Sequence, residues 1–323
     1  MVGGKFGRLL LVLAVLEISL LTVGESTNSS ITITNSGVIS AVPGLHYAEN
    51  AVWVQDASWS GMLTPNILTN NLTRVVSELS QNNIKYAFIF VGYWNATTPS
   101  NPVVPYQHSD AFYANVINAF HSVNVKAIAW IEDGGGGTMD ITQSNRQNIY
   151  NAIVDCMNKG FDGYNDDIES FTGTNQDYID FLNNCTTVLH NLGKLMTADV
   201  AYDWLQDTNP YLHMDFIVSM FYSHSSKFED PQGPYYWQED FGEYSGHDTP
   251  PASPMIIGIM NCLRSGYNTQ PLSWQLAQCS SYLATYGHPQ LVGFSLWLYE
   301  YMGAYSQSDD WAQWNYWITH VDS

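Results

Sequence analysis

The chain is 323 residues long, 45% hydrophobic and only 12% charged, with 10 Lys and Arg against 30 Asp and Glu for a formal net charge of −20. That length and apolar content allow a sizeable core and exclude wholesale disorder. The shortage of cations excludes nucleic acid and anionic lipid as main partners, because both are gripped by clustered Lys and Arg.

In chain order the first feature is the basic start Met1 to Arg8, with Lys5 and Arg8, followed by the almost wholly apolar Leu9 to Val23. A basic start with about 15 apolar residues after it reads as a secretory signal peptide, short for a membrane span. Residues 1–24 are therefore expected to be a signal peptide, or else an uncleaved N-terminal anchor, and the protein to be secreted. Residues 25–45, rich in Ser, Thr, Asn and Gly, read as a polar spacer. Glycosylation sequons start at Asn28, Asn71, Asn95 and Asn184.

Residues 46–323 repeat one pattern, short apolar runs alternating with stretches at helical spacing. Strands are predicted at 51–56, 86–93, 125–132, 161–169, 194–201, 214–222, 254–261 and 291–299. Helices are predicted near 66–82, 108–122, 142–158, 175–191, 270–286 and 308–320, while 223–253 is Pro-, Gly- and aromatic-rich. Eight strands with helical crossovers imply an α/β fold, a single (β/α)8 TIM barrel, although alternation alone does not separate a closed barrel from a doubly wound sheet. The run Gly134–Gly137 lacks the GxGxxG spacing and any GK[ST], so it is not a nucleotide site.

The cysteines are Cys156, Cys185, Cys262 and Cys279, with no CxxC. Cys156 and Cys185 fall on neighbouring predicted helices, and Cys262 and Cys279 on a strand end and the helix after it. Two local disulfides, Cys156–Cys185 and Cys262–Cys279, are expected.

The chemistry concentrates in Phe161-Asp162-Gly163-Tyr164-Asn165-Asp166-Asp167-Ile168-Glu169. Alternation along a strand puts Asn165, Asp167 and Glu169 on one face, which on a barrel strand points to the C-terminal mouth where such active sites sit. Two carboxylates that close do not both ionise easily, so one stays protonated, as a general acid must. Alternate Asp and Asn also bind calcium, but the EF-hand glycine and glutamate spacing is missing, and no metal or other cofactor is expected.

This segment resembles the DGxDxDxE strand signature of glycoside hydrolase family 18, the chitinase family; Asp162, Gly163, Asp167 and Glu169 match, with Asn165 where the family usually has Asp. Trp53-Val54-Gln55-Asp56, Asp215 to Tyr222 and Gly293 to Trp297 resemble the first, sixth and eighth strands of single-domain, hevamine-type chitinases, so the likeness runs from residue 48 to about 305. The resemblance implies a retaining mechanism with no protein nucleophile, in which the 2-acetamido oxygen of the substrate attacks C1. It assigns Glu169 as acid and then base, Asp167 as holder of the acetamido N–H, and Tyr222 as donor to the acetamido carbonyl. It also places Trp297 under the sugar and Asn165, Met220 and Gln55 in the substrate site.

Three departures stand out. Asn165 leaves the carboxylate chain one member short, so Asp167 should ionise more easily than in the family. Trp130-Ile131-Glu132-Asp133 puts a bulky ring and two acids where the family has Ser-x-Gly-Gly. Asp166 would face the helix layer, where an unpaired carboxylate is costly. The sequence thus reads as a secreted, monomeric, endo-acting hydrolase of β-linked N-acetylglucosamine polysaccharide. A chitinase-like binding protein of little or no activity is the alternative. A conventional two-carboxylate glycosidase would have to use Glu132 or Glu300, from the wrong strands.

Overall fold

Near-continuous apolar runs such as Tyr86–Tyr93 and Met255–Met260 suit strands covered on both faces, as parallel sheets require. A computed structural model describes residues 47–56, 66–94, 106–133, 138–200, 211–222, 227–240, 252–260, 270–288, 290–299 and 310–320. Eight parallel strands close a barrel: β1 (Ala51–Val54), β2 (Tyr86–Tyr93), β3 (Lys126–Glu132), β5 (Gly163–Asp167), β7 (Leu195–Val200), β8 (Phe216–Ser219), β9 (Met255–Met260) and β10 (Leu291–Trp297). They stand in that order around the barrel, with β10 returning to β1. The predicted signal peptide and spacer lie outside the described residues.

The helices follow the predicted stretches: α1 (Ile67–Gln81), α2 (Asp110–His121), α3 (Gln143–Asn158), α4 (Asn175–Asn191), α6 (Leu272–Tyr286) and α7 (Asp310–His320), with α5 (Gly233–Asp240) between β8 and β9. That short helix lies in the stretch where no periodicity signalled one.

Alternation sorts the strand side chains into two cores. Val52, Ile89, Ala129 and Ile257 pack outward against the helices. Trp53, Phe88, Phe90, Trp130, Phe216 and Tyr222 fill the interior, where branched aliphatics commonly stand in such barrels. Interior rings meet at 4.9–5.0 Å: Trp53 with Phe88, Phe90 with Trp130, and Tyr86 with Phe216.

The start of β5 is pinned by its own motif. Asp162 Oδ2 accepts from the Ala127 amide at 2.8 Å and meets His121 Nε2 at 2.7 Å. Gly163 admits the β7 backbone, for a Cβ there would stand 2.5 Å from the Leu195 carbonyl oxygen.

Beyond β5, two-residue strands β4 (Met139–Asp140) and β6 (Phe171–Thr172) pair in parallel. They hold the segment that carries Glu169 close to the end of β3. Strands this short carry no period for a sequence to display.

The expected Cys156–Cys185 disulfide does not form. Cys156 and Cys185 are free thiols buried in the core between helices and sheet. Cys156 Sγ lies 3.3 Å from Tyr106 Oη. Neighbouring helices do not suffice for a bond, because both side chains must also point at each other. Cys279 is likewise free and buried, and Cys262 lies outside the described residues.

Candidate active site

Within β5, Tyr164 and Asp166 face the helix layer while Asn165 and Asp167 face the interior. Asp166 faces the helix layer as expected, and it avoids the cost of an unpaired carboxylate. Tyr164 and Tyr178 both donate their hydroxyls to it, the latter at 3.0 Å from α4. Burial nevertheless pushes its carboxyl up to about 7.

On the inner face Asn165 is fully buried. Its Nδ2 donates to Asp199 Oδ2 at 2.7 Å, and its Oδ1 accepts from Thr197 Oγ1 at 2.7 Å. Trp53 Nε1 donates to the same Asp199 oxygen at 3.1 Å. Asp167 Oδ2 accepts from Trp130 Nε1 at 2.7 Å. The Trp130 ring therefore does not merely fill space near Asp167; it supplies a hydrogen bond to it. Asp167 Oδ1, Asp199 Oδ1 and Tyr222 Oη are buried with no partner among the described residues.

Asp199 adds an acid beside Asp167 that the β5 motif does not show. It stands on β7, the neighbour of β5 in the barrel. Asp167 does not ionise in the ordinary carboxylate range. Burial, and then the charges of Asp199, Glu132 and Glu169, push its carboxyl well above the usual range, against the Trp130 hydrogen bond. Burial raises Asp199 in the same direction. Sequence reading passed over Asp199. The available signal was a lone acid in the apolar strand Leu195–Val200, in phase with Thr197.

At the mouth the acids become wetter. Glu132, across from Asp167 in the β3–β5 register, is half-buried. Burial and the Asp133 and Glu169 charges push it up to about 7. Glu169 lies two residues beyond β5 and is exposed. Asp133 Oδ2 accepts from the Glu169 and Ser170 amides at 3.1 and 2.8 Å, which fixes the backbone that presents Glu169.

Trp297, half-buried at the end of β10, gathers the aromatic residues beside these acids. Tyr222 stacks on it at 5.4 Å and 24°, while Trp53 and Trp130 meet it edge-on at 5.4 and 5.3 Å. The Tyr222 ring also needs Gly258, where a Cβ would stand 2.5 Å from its Cε1. Met220 joins the interior cluster, and Gln55 is buried just beyond β1. Barrel closure thus brings Asn165, Asp167, Tyr222, Trp297 and Met220 together at one end, with Gln55 at the matching end of β1 and Glu169 above β5. Glu300 lies outside the described residues. Chemically, the arrangement is a graded set of acids over a wall of aromatic faces, able to deliver a proton and to counter a developing positive charge on a neutral ligand.

No family model and no curated protein matches the sequence. Solved structures do resemble the fold. A chitinase from Chromobacterium violaceum aligns at 14% identity with TM-score 0.56, covering 84% of this chain and 99% of that one. A mutant class V chitinase from Nicotiana tobaccum, in complex with NAG4, aligns at 13% identity with TM-score 0.57, covering 85% and 99%. The spore cortex-lytic enzyme SleL of Bacillus megaterium aligns at 11% identity with TM-score 0.54, covering 84% and 74%. The fold is a chitinase-like (β/α)8 barrel.

Proposed function

We propose that the chain is a family 18 glycoside hydrolase. In this reading it is secreted and endo-acting, and it cleaves β-linked N-acetylglucosamine polysaccharide with retention through the substrate's own acetamido group. One observation carries the reading. Asp167 sits inside a chitinase-like barrel with Glu169 two residues on at the mouth, beside Tyr222 stacked on Trp297. The bound NAG4 in the Nicotiana structure supports an oligosaccharide ligand.

In this reading the sugar at the cleavage point lies with its apolar face on Trp297, as ring hydrogens suit an aromatic face. Glu169 gives its proton to the glycosidic oxygen as the bond to C1 breaks. The acetamido oxygen attacks C1, held by the Tyr222 hydroxyl, whose oxygen has no partner among the described residues. Asp167 holds the acetamido N–H and offsets the positive charge that spreads onto that group. Glu169, now a carboxylate, takes a proton from water, which attacks C1 and returns the anomer with its configuration retained. Asn165, Met220 and Gln55 shape the walls, and no metal enters the chemistry.

The test is mass spectrometry of products from chitin, peptidoglycan and N-glycan substrates, with Glu169→Gln as control. Release of N-acetylglucosamine oligomers from chitin by the wild type alone is expected. Failure to cleave any of the three, with oligosaccharide binding retained, would replace the enzyme by a chitinase-like binding protein.

A further inference from the structure

We propose that Asp199 is the proton partner of Asp167, the two carboxyls holding one proton between them and passing it toward Asp199 as charge develops at the sugar. The second half of this statement rests on the glycosidase reading above; the first does not.

Geometry carries the proposal. The β5–β7 register pairs Asn165 with Thr197 and Asp166 with Ala198. With a side-chain period of two, the next inward layer holds Asp167 and Asp199, on neighbouring strands about 4.8 Å apart. Both are sealed from water, 4% and 3% exposed. Each has one oxygen engaged, Asp167 Oδ2 by Trp130 and Asp199 Oδ2 by Asn165 and Trp53. Each has its other oxygen, Oδ1, without a partner among the described residues. A buried carboxylate oxygen left unsatisfied is costly, and one proton between the two Oδ1 atoms would satisfy both.

Asn165 fits this arrangement and an acid would not. Its amide is oriented by Thr197, so that its N–H faces Asp199. It holds the partner in place while adding no third charge.

The surrounding groups reinforce the sharing. Glu132 from β3, Glu169 from the β5 end and Asp166 from the far face of β5 are all acidic, and Tyr222 adds a neutral hydroxyl. Two like charges this close in such surroundings do not both ionise. At rest the proton sits on Asp167 and the charge on Asp199. When positive charge develops at the sugar, the O–H bond of Asp167 breaks, its electron pair stays on Asp167, and an O–H bond forms on Asp199. The pair keeps a net charge of −1 throughout, so no outside proton is needed; only the position of the charge changes, toward the substrate. Asp199 is on this account a positioning residue, acting through Asp167.

The experiment has two arms. In the first, carbon-13 NMR of labelled aspartate carboxyls follows Asp167 and Asp199 through a pH titration of the wild type and of Asp199→Asn. Two coupled steps are expected in the wild type, one of them above the ordinary carboxylate range. Asp199→Asn should remove one step and bring that of Asp167 down. Independent titrations in the ordinary range, or an Asp167 curve unmoved by Asp199→Asn, would overturn the proposal. In the second arm, Asp199→Asn should lose about tenfold or more in kcat with a displaced pH profile, and Asn165→Asp/Asp199→Asn should regain most of it. Full activity and an unchanged profile in Asp199→Asn would also overturn it. If the wild type turns over no N-acetylglucosamine polymer, the glycosidase reading falls, while the NMR arm still decides whether the proton is shared.

Discussion

Trp130 Nε1 donates a 2.7 Å hydrogen bond to Asp167 Oδ2, across the register that pairs Trp130 with Asn165. This bond favours the ionised form of a carboxylate that burial and three neighbouring acids hold protonated. Trp130→Phe keeps the packing on Phe90 and removes the donor. The unfolding free energy should drop by about 1–3 kcal/mol, as for other buried acceptors left unpaired. The acid limb of the pH–rate profile should move to higher pH. Urea unfolding and rate profiles on a chitooligosaccharide check both; an unmoved profile counts against a working role for the bond.

Glu169→Gln should keep the fold and bind oligosaccharide, yet lose at least about a hundredfold in rate, the lower end for a general acid. The variant's amide has no proton to give at neutral pH. Isothermal titration and turnover on the same substrate measure the two effects separately. Turnover like that of the wild type would remove Glu169 from the mechanism.

Asp166 makes stability depend on pH. Its carboxyl is held at about 7 in the fold, against about 3.9 in an unfolded chain. Between those values the folded chain keeps a proton that the unfolded chain has released. This group's contribution to stability is therefore complete below about pH 4, falls by about 1.4 kcal/mol per pH unit as pH rises, and levels off above 7. The stability difference between wild type and Asp166→Asn should shrink across that window. Denaturant unfolding at pH 4, 5.5 and 7 measures it; a constant difference would mean that Asp166 titrates normally.

The thiols should be silent until the chain unfolds. Burial pushes Cys156 up to about 12 and Cys185 and Cys279 well above the usual thiol range, and only the thiolate reacts. Iodoacetamide at pH 8 should leave all three unlabelled in the native protein. In denaturant without reductant it should label all three. A Cys156–Cys185 link in non-reducing peptide maps would contradict the buried free thiols.

The sequence by itself determined the alternation of strands and helices, while closure into a barrel came from the pairing of β10 with β1. Buried parallel strands must be apolar along their whole length and helices must repeat at 3.6 residues, so among the described residues the eight barrel strands and six of the seven α-helices left their period in the chain. The inward phase of Asn165 and Asp167 follows from the same alternation. What the tertiary structure decided is who stands beside them. Asp199 becomes the neighbour of Asp167 only through the β5–β7 register, and the Trp53 and Trp130 indoles become donors only when the barrel closes. The partners of Asp166 and the unbonded state of Cys156 and Cys185 depend likewise on the directions in which side chains point. A period along one strand states which face a residue takes; it holds no information on the offset between strands, which packing across the whole barrel sets.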